Sequence, residues 1–209
     1  MDKQYQVVAL IGKAGAGKDL IQRVTYELHP DIFHSIVSCT TRPPRDNEQD
    51  GIDYHYLSIE DFTRRVLNGN LFEATEFNGW FYGTGYDSLV TDKINIGVFN
   101  PAGVIALLEA PNIQTIVIYV DAPDKMRLMR YLQRSDNPNC AEMCRRYFTD
   151  ETDFSDLEFE YYRFANMDNN TNPDLLMNYG ITLPISRMWL SLGKDPAVFS
   201  EHLKLIKAK

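Results

Sequence analysis

Cysteine is scarce in this chain. Cys39, Cys140 and Cys144 stand alone among 209 residues, an odd set that does not suit the disulfide framework of a small secreted domain. Cys140 and Cys144 share a face if their segment is helical. No His or Cys pair at zinc-finger spacing accompanies them, so they read as small, half-buried residues of a reducing compartment. Long apolar runs are missing too. The run Val7 to Ile11 is only five residues long, too short for a signal-peptide core, and nothing elsewhere approaches the ~20 apolar residues of a membrane span. Basic surplus is also lacking: the net charge is −8, whereas domains that coat nucleic acid carry a basic face. The four histidines fall in no plausible catalytic triad. Together these absences predict a soluble, cytoplasmic protein with neither nucleic acid nor membrane as partner, and leave monomer and homodimer both open.

What is present is enough for one core with modest insertions: 44% of the residues are hydrophobic and 24% charged. Val7–Ile11 has the short, β-branched look of a buried parallel strand. Leu20, Ile21, Val24 and Leu28 then recur at helical spacing before a stop at His29–Pro30. Thr115–Val120 predicts a second strand. After it, Met126, Met129 and Leu132 share a helical face, with Asp124 in the first turn where the helix dipole favours negative charge. Strands alternating with helices predict a three-layer α/β/α fold on a parallel sheet. The stretch from Ser35 to Asp92 is richer in Thr, Arg, Tyr, Gly and Asp and predicts an inserted, partly β subdomain. Residues 134–146 are polar and flanked by arginines, which predicts a mobile segment. The expected division is a core of residues 1–34 and 93–209, an insertion of 35–92, and a mobile segment of 133–147 within the core. Beyond Asn166, the polar stretch NMDNNTNPD predicts a loop and carries no identifiable chemistry.

The run Gly12-Lys13-Ala14-Gly15-Ala16-Gly17-Lys18 matches the G-x-x-x-x-G-K phosphate-loop pattern. Its glycines let successive backbone N–H groups face inward, and the helix that follows adds its positive N-terminus. Lys18 then supplies a compact positive charge for the β- and γ-phosphates of ATP. A buried strand before the run and an amphipathic helix after it are the context this mechanism requires. The next position, normally Ser or Thr with its hydroxyl on Mg²⁺, is Asp19. Its carboxylate is a hard oxygen ligand suited to Mg²⁺; the alternative is that it repels the nucleotide phosphates.

Ser38-Cys39-Thr40-Thr41-Arg42-Pro43-Pro44-Arg45 places two guanidinium forks around a stiff Pro-Pro pair, a geometry suited to a phosphate dianion. Downstream follow Glu48, Gly51-Ile52-Asp53-Tyr54-His55-Tyr56, Gly69-Asn70-Leu71-Phe72-Glu73 and Phe77-Asn78-Gly79-Trp80-Phe81-Tyr82-Gly83-Thr84. This ordered series resembles the guanylate kinase family, P-loop kinases of nucleoside monophosphates (NMPs), without gaps from Ser38 to Thr84 and more loosely over about residues 5–168. The resemblance implies a P-loop NTPase fold with an inserted NMP-binding subdomain and a lid, and transfer of the ATP γ-phosphate to GMP or dGMP. It implies that Arg42, Arg45, Tyr54 and Tyr82 bind the acceptor phosphate. Glu73 would accept from N1 and the exocyclic amine of guanine, with Ser38 and Thr84 completing base recognition. Arg130, Arg134 and Arg146 fall in the segment similar to the family's lid, where arginines offset the charge of the transferring phosphoryl group; Arg145 could replace Arg146. Asn166 matches an asparagine near the donor base.

The chain departs from the family at Val98-Phe99-Asn100-Pro101-Ala102-Gly103, where the pattern is D-x-D-x-x-G. The aspartate near the metal becomes Val98, and the one that helps read guanine becomes Asn100. A carboxylate is thus lost at this strand while one is gained at Asp19. These departures leave two other readings: a catalytically weakened module that docks phosphopeptides or another ligand in the acceptor site, and a kinase for a different (deoxy)nucleoside monophosphate.

Overall fold

The computed structural model describes residues 5–44, 48–77, 79–133, 136–167, 174 and 179–200. Along the chain come β1 (Tyr5–Ile11), α1 (Lys18–Leu28), β2 (Phe33–Ser35), β3 (Cys39–Thr40), β4 (His55–Tyr56), α2 (Ile59–Leu67), β5 (Leu71–Phe77) and β6 (Trp80–Gly85). Then follow β7 (Ile94–Val98), α3 (Pro101–Glu109), β8 (Ile113–Asp121), α4 (Asp124–Leu132), α5 (Cys140–Asp153), β9 (Tyr162–Ala165) and α6 (Tyr179–Ser191).

The main sheet is parallel, in the order β2-β7-β1-β8-β9. Because side chains alternate across a strand, β1 feeds two cores. Val8 and Leu10 point to a layer with Ile21 of α1 and Ile181, Ile185 and Met188 of α6. Val7, Ala9 and Ile11 point to the opposite layer, with Val104 and Leu107 of α3. Burial on both faces explains why β1 reads as an unbroken apolar run. The result is the expected three-layer α/β/α architecture. Each Leu or Ile fully buried there contributes about 1.5–3 kcal/mol.

A second sheet, in the order β4-β3-β6-β5, is built from residues between the first two core strands and β7. β3 runs parallel to β4 and antiparallel to β6, and β5–β6 is an antiparallel hairpin. Helix α2 starts at a Ser58 cap, whose Oγ accepts the Asp61 N–H at 3.0 Å. Its buried Phe62 stacks on Phe81 of β6, with ring centroids 5.6 Å apart.

Three expectations change. On α1 the inward residues are Ile21 and Thr25, while Leu20 and Leu28 are exposed; the helix meets the sheet along a narrower stripe than its apolar spacing suggests. On α4 the buried residue is Arg127, and Met129 and Leu132 are exposed, because this face meets the polar phosphate loop rather than an apolar core. Cys140 and Cys144 do lie on a helix, α5, but both are exposed rather than half-buried. The helix also takes up the segment from Cys140 onward that the sequence suggests is mobile.

The described part of the C-terminal region packs into the core. Ile181, Ile185, Met188, Trp189 and Phe199 join the main core, and Asp174 pairs with His29 at 2.8 Å at the end of α1, both buried. Most of the NMDNNTNPD stretch lies outside the described residues. No described helix is long and apolar enough to cross a membrane.

Candidate functional site

The phosphate loop joins β1 to α1. Gly12 has φ +143°, and a Cβ there would run into the Val120 carbonyl of β8. Gly17 caps α1 in the left-handed region at φ +98°, where a Cβ would lie 2.5 Å from Asn166 Nδ2. Neither position admits a side chain without displacing backbone or a buried amide. Lys18 folds back over the loop, and its Nζ donates to the carbonyls of Gly12 (2.6 Å) and Lys13 (3.2 Å). The back of the loop is held by Asn166, whose Nδ2 donates to Ala16 O at 2.7 Å. Arg130 reaches Gly15 O and Ala16 O at 3.3 and 3.2 Å. Asn166 and Arg130 therefore meet the loop itself. Asp19 sits exposed in the first turn of α1.

The acceptor residues lie on or beside the strands of the second sheet, β3 to β6. Arg42 is 9% exposed. Its Nη2 donates to both oxygens of Glu48 (3.0 and 2.8 Å), and Nη1 donates to Pro43 O at 2.8 Å. Its Nε is buried and has no partner among the described residues. Tyr54 and Tyr56 flank the guanidinium at 5.6 and 6.0 Å, and the Tyr56 hydroxyl donates to Glu48 at 2.9 Å. Burial works against the Arg42 charge, but Glu48 more than offsets it, so the guanidinium stays charged. Tyr82 packs edge-on against Tyr54, with centroids 6.0 Å apart. Burial pushes the Tyr54 hydroxyl up to about 12, followed by the negative charge of Asp19. That second influence brings the loop and the acceptor pocket within electrostatic reach of each other. Arg45 lies outside the described residues.

A polar chain forms the deeper part of the pocket. Glu73 of β5 and Thr84 of β6 are register partners, and the Thr84 hydroxyl donates to Glu73 Oε1 at 2.6 Å. Since Thr84 has one proton to give, Ser38 must donate in turn to Thr84 Oγ1, at 2.8 Å. Burial raises the Glu73 pKa, and the Thr84 hydrogen bond partly opposes this. Asn100 commits its Oδ1 to the Gly103 N–H at 2.7 Å, capping α3. A Cβ on Gly103 would lie 3.6 Å from Glu73 Oε2, so the start of α3 faces the carboxylate.

The guanylate kinase family model matches residues 4–172, which spans the phosphate loop, the acceptor pocket and Asn166. The chain belongs to the guanylate kinase family. The guanylate kinase of Chlamydia felis is 36% identical over 139 residues, covering 64% of this chain and 66% of the relative. That of Thermosynechococcus vestitus is 41% identical over 85 residues, covering 41% of this chain and 44% of the relative. This chain thus spans less than two thirds of the length of these curated relatives. A solved structure of guanylate kinase from Anaplasma phagocytophilum superposes with a TM-score of 0.57 at 21% identity, covering 90% of this chain and 84% of that one; it supports the fold.

For the lid expected of this family, Arg134 lies outside the described residues. Arg145 and Arg146 sit on α5, and both pair with Glu142 at 2.7 Å. The hydrogen bond from Arg145, followed by that from Arg146, pulls the Glu142 carboxyl down to about 2 against its partial burial. Sequence reading missed Glu48 as the partner of Arg42, and missed Arg127 and Asp150, which grip the phosphate loop. Only the i,i+3 spacing of Asp124 and Arg127 hinted at an ion pair on α4.

Proposed function

We propose that this chain is a transferase that moves the γ-phosphate of ATP to GMP or dGMP, giving ADP and (d)GDP. The observation that carries it is the juxtaposition of an intact glycine loop and Lys18 with a pocket that pairs a buried Arg42 with the Ser38–Thr84–Glu73 chain. In this reading Gly12, Lys13, Ala14, Gly15, Ala16, Gly17 and Lys18 cradle the ATP phosphates, with Arg130 and Asn166 behind them. Arg42, Arg45, Tyr54 and Tyr82 hold the acceptor phosphate, and Arg42 offers it the Nε that has no partner among the described residues. Glu73, helped by Ser38, Thr84 and Asn100, reads the guanine edge. A phosphate oxygen of GMP forms the new bond to the γ-phosphorus as the bond to the β–γ bridging oxygen breaks, and ADP leaves. Lys18, Arg42, Arg134 and Arg146 spread the developing charge, so the work is positioning and electrostatics.

Asp19 would hold magnesium together with substrate phosphates, since the ion takes one or two protein carboxylates. The ion would supply Lewis-acid withdrawal of charge from the phosphates. Among the described residues, no group of three or more His, Cys, Asp or Glu side chains is placed to hold a metal ion. The functional units are a core of residues 1–34 and 93–209, an acceptor insertion of 35–92 and a lid of 133–147. The enzyme acts in cytoplasmic nucleotide metabolism, as a monomer or homodimer, without nucleic acid or membrane.

The test is ADP release across all ribo- and deoxynucleoside monophosphates with ATP and Mg²⁺. Turnover with GMP or dGMP alone is expected. Turnover with another base reassigns the acceptor. Silence across the panel, with tight monophosphate binding, replaces the kinase by a docking module.

A further inference from the structure

The side chains that grip the front of the phosphate loop are not part of its sequence pattern. Both backbone polar groups of Ala14, which belong to successive peptides, are taken by side chains from other helices. Its N–H donates to Asp150 Oδ2 of α5 at 2.7 Å, and its C=O accepts from Arg127 Nε of α4 at 3.0 Å. The two side chains also meet, with Arg127 Nη2 donating to Asp150 Oδ2 at 3.1 Å. Arg127 is 3% exposed, and Asp124 takes its Nη1 at 2.7 Å. Next along the loop, Lys13 pairs with Glu151, also on α5.

We propose that Asp150 and Arg127 form a clamp on the Ala14 backbone that holds the backbone N–H array in its phosphate-receiving shape, making Asp150 a positioning residue for ATP. This rests on the donor half of the proposed function. A loop whose donors already converge binds without reorganising, and that saves affinity otherwise lost to ordering. The clamp also joins α5, with Arg145 and Arg146, to the loop. A second tie runs from the Tyr147 hydroxyl to Asp124 at 2.8 Å, with the Tyr147 ring 5.4 Å from the Arg127 guanidinium. An opposing chemistry exists: Asp150 occupies the Ala14 N–H, and although burial raises its carboxyl above the ordinary value, the Ala14 N–H, Arg127, Lys18 and Lys13 oppose this, so it could compete with phosphate for the same groups. The geometry favours the clamp: Arg127 neutralises the carboxylate, and the two peptides flanking the Ala14 Cα are both gripped, one at its N–H and the other at its C=O.

The experiment compares wild type, Asp150→Ala and Asp150→Asn by binding of a fluorescent ATP analogue, by KM for ATP and for GMP, and by Tm. In Asp150→Ala, analogue affinity falls and KM for ATP rises by about tenfold to hundredfold, as expected for loss of a hydrogen-bonded charge. KM for GMP stays at the wild-type value. Asp150→Asn keeps an oxygen for the Ala14 N–H and recovers most of the affinity; if the alanine variant does not fold, a modest loss in the asparagine variant carries the test. Unchanged ATP binding in Asp150→Ala (or in Asp150→Asn, where the alanine variant does not fold) overturns the proposal, as does tighter binding in either variant, which would identify Asp150 as a competitor of phosphate. Parallel losses for ATP and GMP that track Tm overturn it as well. A wild type that binds the analogue without turning over refutes the kinase reading and leaves the binding arm intact.

Discussion

In the phosphate loop the groups that would face a ligand belong to the backbone, and side chains do the holding: Asn166 and Arg130 from behind, Arg127 and Asp150 in front. In the acceptor pocket the roles reverse. The groups facing the ligand are side chains, and the ladder of β3, β6 and β5 aligns Ser38, Thr84 and Glu73. The two also differ in charge. The loop offers carbonyls to Lys18, whereas the pocket holds Arg42 against Glu48 and keeps one guanidinium donor in reserve. The lesson is about tolerance. A backbone site fails when a side chain is added to it, and a side-chain site fails when one is removed.

The largest expected effect breaks the pocket. Arg42→Ala removes the buried, charged donor set, and KM for GMP rises by about a hundredfold or more. KM for ATP stays put, and Tm falls as well, because Glu48 is left largely buried without its cation and keeps only the Tyr56 hydroxyl. Initial rates at varied GMP and at varied ATP check this; an equal rise in both constants would erase the division between the halves. Gly17→Ala is the mirror experiment. It adds a methyl where φ is +98° and Asn166 Nδ2 lies 2.5 Å away, a strain of about 1–2 kcal/mol for the left-handed backbone alone. Here ATP affinity falls by about tenfold, Tm drops by about 2–8 °C, and KM for GMP is spared. Nucleotide titration together with thermal melting reads both.

The same contrast explains what the sequence discloses. The β1–loop–α1 unit is legible because its signals are local: an apolar run, glycines at the turn, a helical period. The acceptor residues are legible as an ordered set of short motifs. Their partnerships are not, since Ser38 meets Thr84 only because β3 lies beside β6, and Glu73 meets Thr84 only through strand register. The clamp was hidden for another reason. Met129 and Leu132 suggest an apolar face for α4, yet the inward position is Arg127, because its neighbour is a polar loop. Asp150 stands beside Glu151 and near Asp153, a run that reads as a solvated helix face until the fold brings it to Ala14. Asn100, expected at the base, spends its oxygen on capping α3.

The smallest effect concerns the proton on Glu73. Burial raises its pKa above the ordinary carboxylate value, and the base contact needs the ionised form. As pH falls through that raised value, Glu73 gains a proton, an acceptor becomes a donor, and KM for GMP climbs by up to about tenfold per pH unit. The stability of the fold moves the other way. The folded state holds this proton more tightly than the unfolded chain does. Glu73 therefore contributes stability that is fully present below the unfolded pKa and is lost as pH rises through the folded one. Acid should thus weaken GMP binding without weakening the fold through this group. KM for GMP and Tm measured across a common acid series test this, alongside Glu73→Gln. The glutamine variant should bind GMP poorly at every pH and lose the acid limb of the profile. If that limb persists in the variant, the titrating group is elsewhere, and the Ser38–Thr84–Glu73 chain is structural rather than a reader of the base.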